Sequence, residues 1–184
     1  MTIPNYITIF RFLLVPLVVY AIYSGQMTLA FAGFLIAAVS DGVDGFIARR
    51  FNMRSELGTY LDPIADKLLL VTVFVVLGAL GHLPLWLVYL VVSRDVMIIG
   101  AVMLSTVMGN PVAMHPLFVS KANTTVQIIL AGFVLAKLTF LPNHVQIQSI
   151  LVWAAALLTV LSGAAYLMQW LRHMAGFAEP DGKS

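Results

Sequence analysis

Cysteine is absent from all 184 residues. Disulfides and thiolate metal sites are therefore excluded. Charge is scarce too. Only 10% of residues are Asp, Glu, Lys or Arg, where a soluble domain carries roughly 25%. The formal net charge is +2, too small for a basic surface that would take a nucleic-acid partner. Repeats, linkers and low-complexity blocks are missing. The first apolar stretch lacks the basic leading region and small-residue cleavage site of a signal peptide, so it reads as a retained span. There is no Arg- and Ser-rich presequence. The simplest expected location is a bacterial plasma (inner) membrane.

What is present is apolar: 61% of the chain is hydrophobic. A helix crosses the hydrocarbon with about 20 mostly apolar residues. Six stretches meet that requirement, near Tyr6–Tyr23, Met27–Arg50, Leu57–Leu80, Leu83–Met108, Leu117–Phe140 and Val145–Leu171. Short turns separate them, at Ser24-Gly25, Gly81-His82, Gly109-Asn110-Pro111 and Pro142-Asn143. The expected fold is an all-α polytopic membrane protein with six transmembrane helices. One transmembrane domain covers residues 1–174, and residues 175–184 form a polar tail. Basic residues favour the cytoplasmic side. Arg49, Arg50, Arg54, Lys121, Arg172 and Lys183 all fall on one side of a six-span chain. Both termini are expected there. The opposite turns hold His82 and His144, with Lys137 as the exception in charge.

The segment Ser40–Lys67, SDGVDGFIARRFNMRSELGTYLDPIADK, concentrates four aspartates. Asp41 and Asp44 are three apart at the end of the second span. Asp62 and Asp66 are four apart near the start of the third. Both spacings put paired residues on one helix face. If residues 50–57 turn the chain back, the two helices become neighbours and the acids can converge just inside the cytoplasmic boundary. Each Asp at a helix centre costs roughly 2.5–3.5 kcal/mol on insertion scales, so something must offset the charge. Oxygen ligands suit hard divalent cations, Mg²⁺ or Mn²⁺. Two such ions would balance four carboxylates and clamp a phosphate for in-line displacement. Lys67, Arg49 and Arg50 add phosphate-compatible charge. Gly42, Gly45, Ala48 and Gly58 leave room for a ligand near the backbone.

These residues resemble the signature of the CDP-alcohol phosphatidyltransferases. Asp44-Gly45, Ala48-Arg49, Gly58, Asp62 and Asp66 stand at its spacing, and Asp41 supplies its leading aspartate. No position departs. The opening IPNYITIFRFLLVP (Ile3–Pro16) also looks like the start of these enzymes. The resemblance implies six transmembrane helices, a homodimer, and transfer of a phosphatidyl group from CDP-diacylglycerol to an alcohol with release of CMP. It implies that Asp41, Asp44, Asp62 and Asp66 surround one or two divalent metals and that Asp66 is the general base. It implies a nucleotide site formed by Asp44, Gly45, Ala48, Arg49 and Gly58.

Two later stretches bear on the acceptor. VVSRDVMIIG (Val91–Gly100) places Arg94 and Asp95 inside the fourth span, and FVSKANTTVQ (Phe118–Gln127) opens the fifth with Lys121. Arg94, Lys121 and, in the first span, Arg11 are candidates for an acceptor or lipid phosphate; a structural Arg94–Asp95 pair is the alternative. The stretches look most like the CMP-forming cardiolipin-synthase branch, which uses phosphatidylglycerol. The related branch uses glycerol 3-phosphate and gives phosphatidylglycerophosphate. Intramembrane carboxylates also mark ion pathways. A cation transporter, however, places them near the midplane on broken helices, whereas these acids gather at one edge beside arginines.

Overall fold

The computed structural model describes residues 3–51, 56–107, 118–140 and 145–174. The side chains of residues 3–9, 11, 41–66, 106 and 145 fall outside the description. Six α-helices account for the described chain: α1 (Ile3–Tyr23), α2 (Met27–Phe51), α3 (Glu56–Ala79), α4 (Leu85–Val107), α5 (Phe118–Phe140) and α6 (Val145–Met174). The described residues contain no strand. The 175–184 tail lies outside them.

Two of the turns close with the same device. Gly25 and Gly81 adopt φ of 72° and 77°, a left-handed conformation open to glycine. After α1, the Gln26 amide donates to the Ala21 carbonyl at 2.8 Å and the Gly25 amide to Ile22 at 3.1 Å. After α3, the His82 amide donates to Leu77 at 2.8 Å and the Gly81 amide to Gly78 at 3.0 Å. Both are Schellman caps, which satisfy the last helical carbonyls before the chain reverses.

Packing arranges the helices as a ring. In the described residues the neighbours run α1, α2, α5, α6, α4, α3 and back to α1, and α3 also meets α5 across the middle. Helix α1 lies against both α2 and α3, while the α2–α3 pairing expected at the short turn falls on residues 41–66, outside the described side chains. Helix α3 buries more than one face. Phe74, Val73 and Leu77 are fully enclosed, and only a helix with neighbours on several sides achieves that. Val18 and Ile22 of α1, Phe34 of α2, Leu87 and Val91 of α4, and Leu130 and Val134 of α5 complete the core.

The outer faces are apolar as well. Leu13, Tyr20, Val107, Phe118, Ile150 and Trp153 are exposed. A helix apolar all round belongs in a membrane. Leu85–Ser105, Phe118–Phe140 and Gln146–Met174 are long and apolar enough to cross one. In α1, α2 and α3 the described apolar runs, Phe12–Tyr23, Met27–Ser40 and Lys67–Ala79, are shorter.

Close approach of α3 and α4 depends on Gly78. A Cβ there would lie 2.6 Å from Val88 Cγ2, and a branched side chain at a buried position has little freedom to move. Gly78→Ala is expected to cost about 1–3 kcal/mol by overpacking. The check is the unfolding midpoint in detergent, with Gly100→Ala as the comparison, since nothing lies within 4 Å of a Cβ at Gly100. Equal midpoints for the two variants would refute this packing.

Candidate active site

The four aspartates ride on two helices. Helix α2 remains helical through Asp41 and Asp44, and α3 is already helical at Asp62 and Asp66, running through Pro63. Residues 52–55 join the two helices, and that covalent link holds the helix ends within about 18 Å. The aspartates therefore occupy one end of the bundle, in the C-terminal half of α2 and the N-terminal half of α3. The side chains of Asp41, Asp44, Gly45, Ala48, Arg49, Gly58, Asp62 and Asp66 lie outside the described residues, as does that of Arg11.

The described chemistry begins one residue past Asp66. Lys67 Nζ donates to both carboxylate oxygens of Asp95, at 3.0 and 2.9 Å. Arg94 Nη1 donates to Asp95 Oδ1 at 2.6 Å. Arg94 Nη2 reaches Ser120 Oγ on α5 at 2.7 Å and Ser162 Oγ on α6. The guanidinium carbon sits 5.5 Å from the centre of the Tyr166 ring, within cation–π range. Arg94 is 6% exposed and its Nε has no partner. One carboxylate is thus shared by two cations, and the arrangement ties together α3, α4, α5 and α6.

This geometry shows protein partners for two of the candidate cations. Arg94, a candidate phosphate ligand from sequence, has both terminal nitrogens occupied by protein oxygens. The pairing with Asp95 named as the alternative is present in the structure. Lys67 is held by Asp95 as well. Lys121 stays exposed, one residue beyond the Ser120 that Arg94 grips. Sequence reasoning missed Ser120, Ser162 and Tyr166, because nothing in their local pattern separates them from ordinary helix-packing residues.

A cavity of about 450 Å³ opens between α3 and α4 beside this cluster. Lys67, Arg94 and Asp95 stand at it, and Leu68, Val71 and Ile99 are among its apolar walls. A charged group next to an apolar groove suits an amphiphile. Deeper between α5 and α6, Gln127 Nε2 donates to Thr159 Oγ1 at 3.3 Å, and Thr159 Oγ1 donates to Asn123 Oδ1 at 2.9 Å. Such polar contacts hold helices together where the surroundings offer no water.

The family model for CDP-alcohol phosphatidyltransferase matches residues 1–161. The chain is 37% identical over 155 residues to a human cardiolipin synthase (CMP-forming), covering 76% of this chain and 52% of the relative. It is 33% identical over 180 residues to the rat cardiolipin synthase (CMP-forming), covering 89% and 59%. It is 34% identical over 134 residues to the CDP-diacylglycerol–glycerol-3-phosphate 3-phosphatidyltransferase of Bacillus subtilis, covering 72% and 68%. The chain thus spans little more than half the length of the two mammalian relatives.

The shared carboxylate generates a test. Removing one partner of a buried ion pair costs about 3–5 kcal/mol, because the other charge is left uncompensated. Asp95→Leu should lower the detergent unfolding midpoint strongly. Arg94→Met combined with Asp95→Leu should recover much of the loss, since no buried guanidinium remains unpaired. An Asp95→Leu variant as stable as the parent would remove Asp95 from its anchoring role.

Proposed function

We infer the function from one premise: the chain belongs to the CDP-alcohol phosphatidyltransferase family. It transfers a phosphatidyl group from CDP-diacylglycerol to the hydroxyl of phosphatidylglycerol, giving cardiolipin and CMP. The observation that carries the transferase reading is the Asp41–Asp66 pattern, uninterrupted in spacing and divided between two helices joined by a short link.

The donor set fits a metal. Four carboxylates offer only hard oxygen ligands, which suit Mg²⁺ or Mn²⁺ and a site for two ions. Asp41, Asp44, Asp62 and Asp66 would hold them. Bound there, the cations supply charge neutralisation for a pyrophosphate. The protein's own residues do the rest. Gly45, Ala48 and Gly58 leave space for the cytidine nucleotide, with Asp44 beside it. Arg49 balances the phosphate charge of departing CMP. Asp66 takes the proton of the acceptor hydroxyl as its oxygen bonds to phosphorus and the bond to CMP breaks. The α3–α4 groove accepts an acyl chain, and exposed Lys121, with Arg11, meets lipid phosphate.

Charge and solubility support the choice of acceptor. Arg94 and Lys67 are already paired with Asp95, which leaves Lys121 and Arg11 as the cations proposed to meet the acceptor phosphate. Phosphatidylglycerol carries one negative phosphodiester charge and brings its own acyl chains. Glycerol 3-phosphate carries about two negative charges, as phosphomonoesters do near neutral pH, and is fully water-soluble. The Bacillus relative keeps the phosphatidylglycerophosphate reaction as the second reading. The protein acts as a six-span homodimer in a bacterial plasma membrane. Its termini and aspartate end face the cytoplasm, an orientation supported by Arg49, Arg50, Arg54 and Arg172. Residues 1–174 constitute the enzyme domain.

Purified protein supplied with CDP-diacylglycerol and either acceptor in parallel should make cardiolipin only from phosphatidylglycerol, and EDTA should stop CMP release until Mg²⁺ or Mn²⁺ is restored. Phosphatidylglycerophosphate from glycerol 3-phosphate, with no cardiolipin, would overturn the acceptor. Turnover in metal-free buffer would overturn the mechanism. Asp66→Asn should lose turnover by about 100-fold or more, the scale of general-base catalysis, while CDP-diacylglycerol binding falls far less. Near-normal turnover in that variant would reassign the base.

A further inference from the structure

At the opposite end of α3 from Asp62 and Asp66 lies a second cavity, of about 520 Å³. Ala79 ends α3 roughly 20 Å along the helix axis from Asp66, at 1.5 Å per residue. The cavity forms where the α3–α4 turn meets the α5–α6 pair. His82, Trp86, Lys137, Gln148, Val152 and Trp153 are among its walls. None of its lining residues is a carboxylate.

Three features specify an occupant. Lys137 is a half-buried cation with no carboxylate within 4 Å among the described residues. Its ammonium donates to Gln148 Oε1 at 2.7 Å, and Gln148 Nε2 donates to the His82 carbonyl at 2.8 Å. The cation is therefore held in place by an amide that is itself fixed to the α3–α4 turn, and two of its three donor hydrogens are left over. Second, Trp86 and Trp153 pack with ring centres 5.4 Å apart and are largely exposed. Tryptophan concentrates at the headgroup level of a bilayer. Third, Val134, Leu138 and Val152 make part of the wall apolar. A free inorganic anion has no use for such a wall; an anion carrying acyl chains does.

We propose that this cavity is a binding site for an anionic phospholipid of the leaflet opposite the aspartates. The phosphate sits on Lys137, with Gln148 as orienting group, and an acyl chain lies along Trp86 and Trp153. The site is separate from the aspartate end and requires nothing of the catalytic reading.

The test uses the full chain with Trp170→Phe, which leaves Trp86 and Trp153 as the only tryptophans. The protein is placed in phosphatidylcholine nanodiscs, and tryptophan quenching is titrated with acyl-brominated phosphatidylglycerol or acyl-brominated phosphatidylcholine. The expected preference for the anionic lipid is about fivefold, the ~1 kcal/mol of one lysine beside an anionic lipid surface. Lys137→Gln should abolish the preference, and Lys137→Arg should keep it. Lys137→Gln should leave CMP release unchanged. Equal quenching by the two lipids in the parent protein would overturn the proposal. So would a preference that survives Lys137→Gln, or protection from both lipids, which would mean that a second protein chain covers the tryptophans.

Discussion

A charge inside an apolar bundle has to find a partner, and Asp95 is where this protein meets that requirement. Its carboxylate accepts from Arg94 of the same helix and Lys67 of the helix beside it. Arg94 then reaches Ser120 and Ser162 on two further helices. Without the anion, a guanidinium that is 6% exposed would have only two hydroxyls and the face of Tyr166 to stabilise it. Four of the six helices are joined through the Arg94–Asp95 pair. Lys67 follows Asp66 directly and Ser120 precedes Lys121, so the anchor also sets the relative positions of the helix segments that carry the proposed base and the proposed lipid-phosphate contact.

The two ends of the bundle divide the polar chemistry. One end carries acids on α2 and α3, with cations beside them. The other ends its turn after α3 in a glycine cap and carries Lys137, Gln148 and paired tryptophans. Between them the described core is almost entirely aliphatic and aromatic, interrupted by the Asn123–Thr159–Gln127 contacts that bind α5 to α6. In lipid, apolar side chains gain little by meeting one another, so close packing at Gly78 and hydrogen bonds of this kind carry much of the association.

Family membership and acceptor choice rest on different grounds. The aspartate pattern and the matched span of residues 1–161 establish the family. Identity does not divide the branches, since relatives that act on different acceptors stand at 37% and 34%. What separates a phosphodiester lipid from a soluble phosphomonoester is charge and partition into the bilayer. The first can be read by the cations left uncompensated near the aspartate end, the second by an apolar groove open to lipid. The sharing of Asp95 bears on the first directly.

The helices, the Gly25 and Gly81 turns and the positions of the aspartates were legible in the chain alone. Each depends on local patterns: apolar length, a glycine that can take positive φ, and acids three and four residues apart. The bonding state of Arg94 was not legible. Its neighbour Asp95 was visible, but Lys67, Ser120 and Ser162 lie 27, 26 and 68 residues from it. Only the ring order of the helices brings them together. That order was itself hidden, because a helix that is apolar on every face carries no stripe to say which side meets which neighbour. The short link between α2 and α3 suggested a packed pair at residues outside the described ones, and the contact of α1 with both carried no sign in the sequence. Sequence thus determined the family, the helices and where along them the acids stand. Tertiary structure decided which cations are already neutralised, because that depends on partners that only packing can supply.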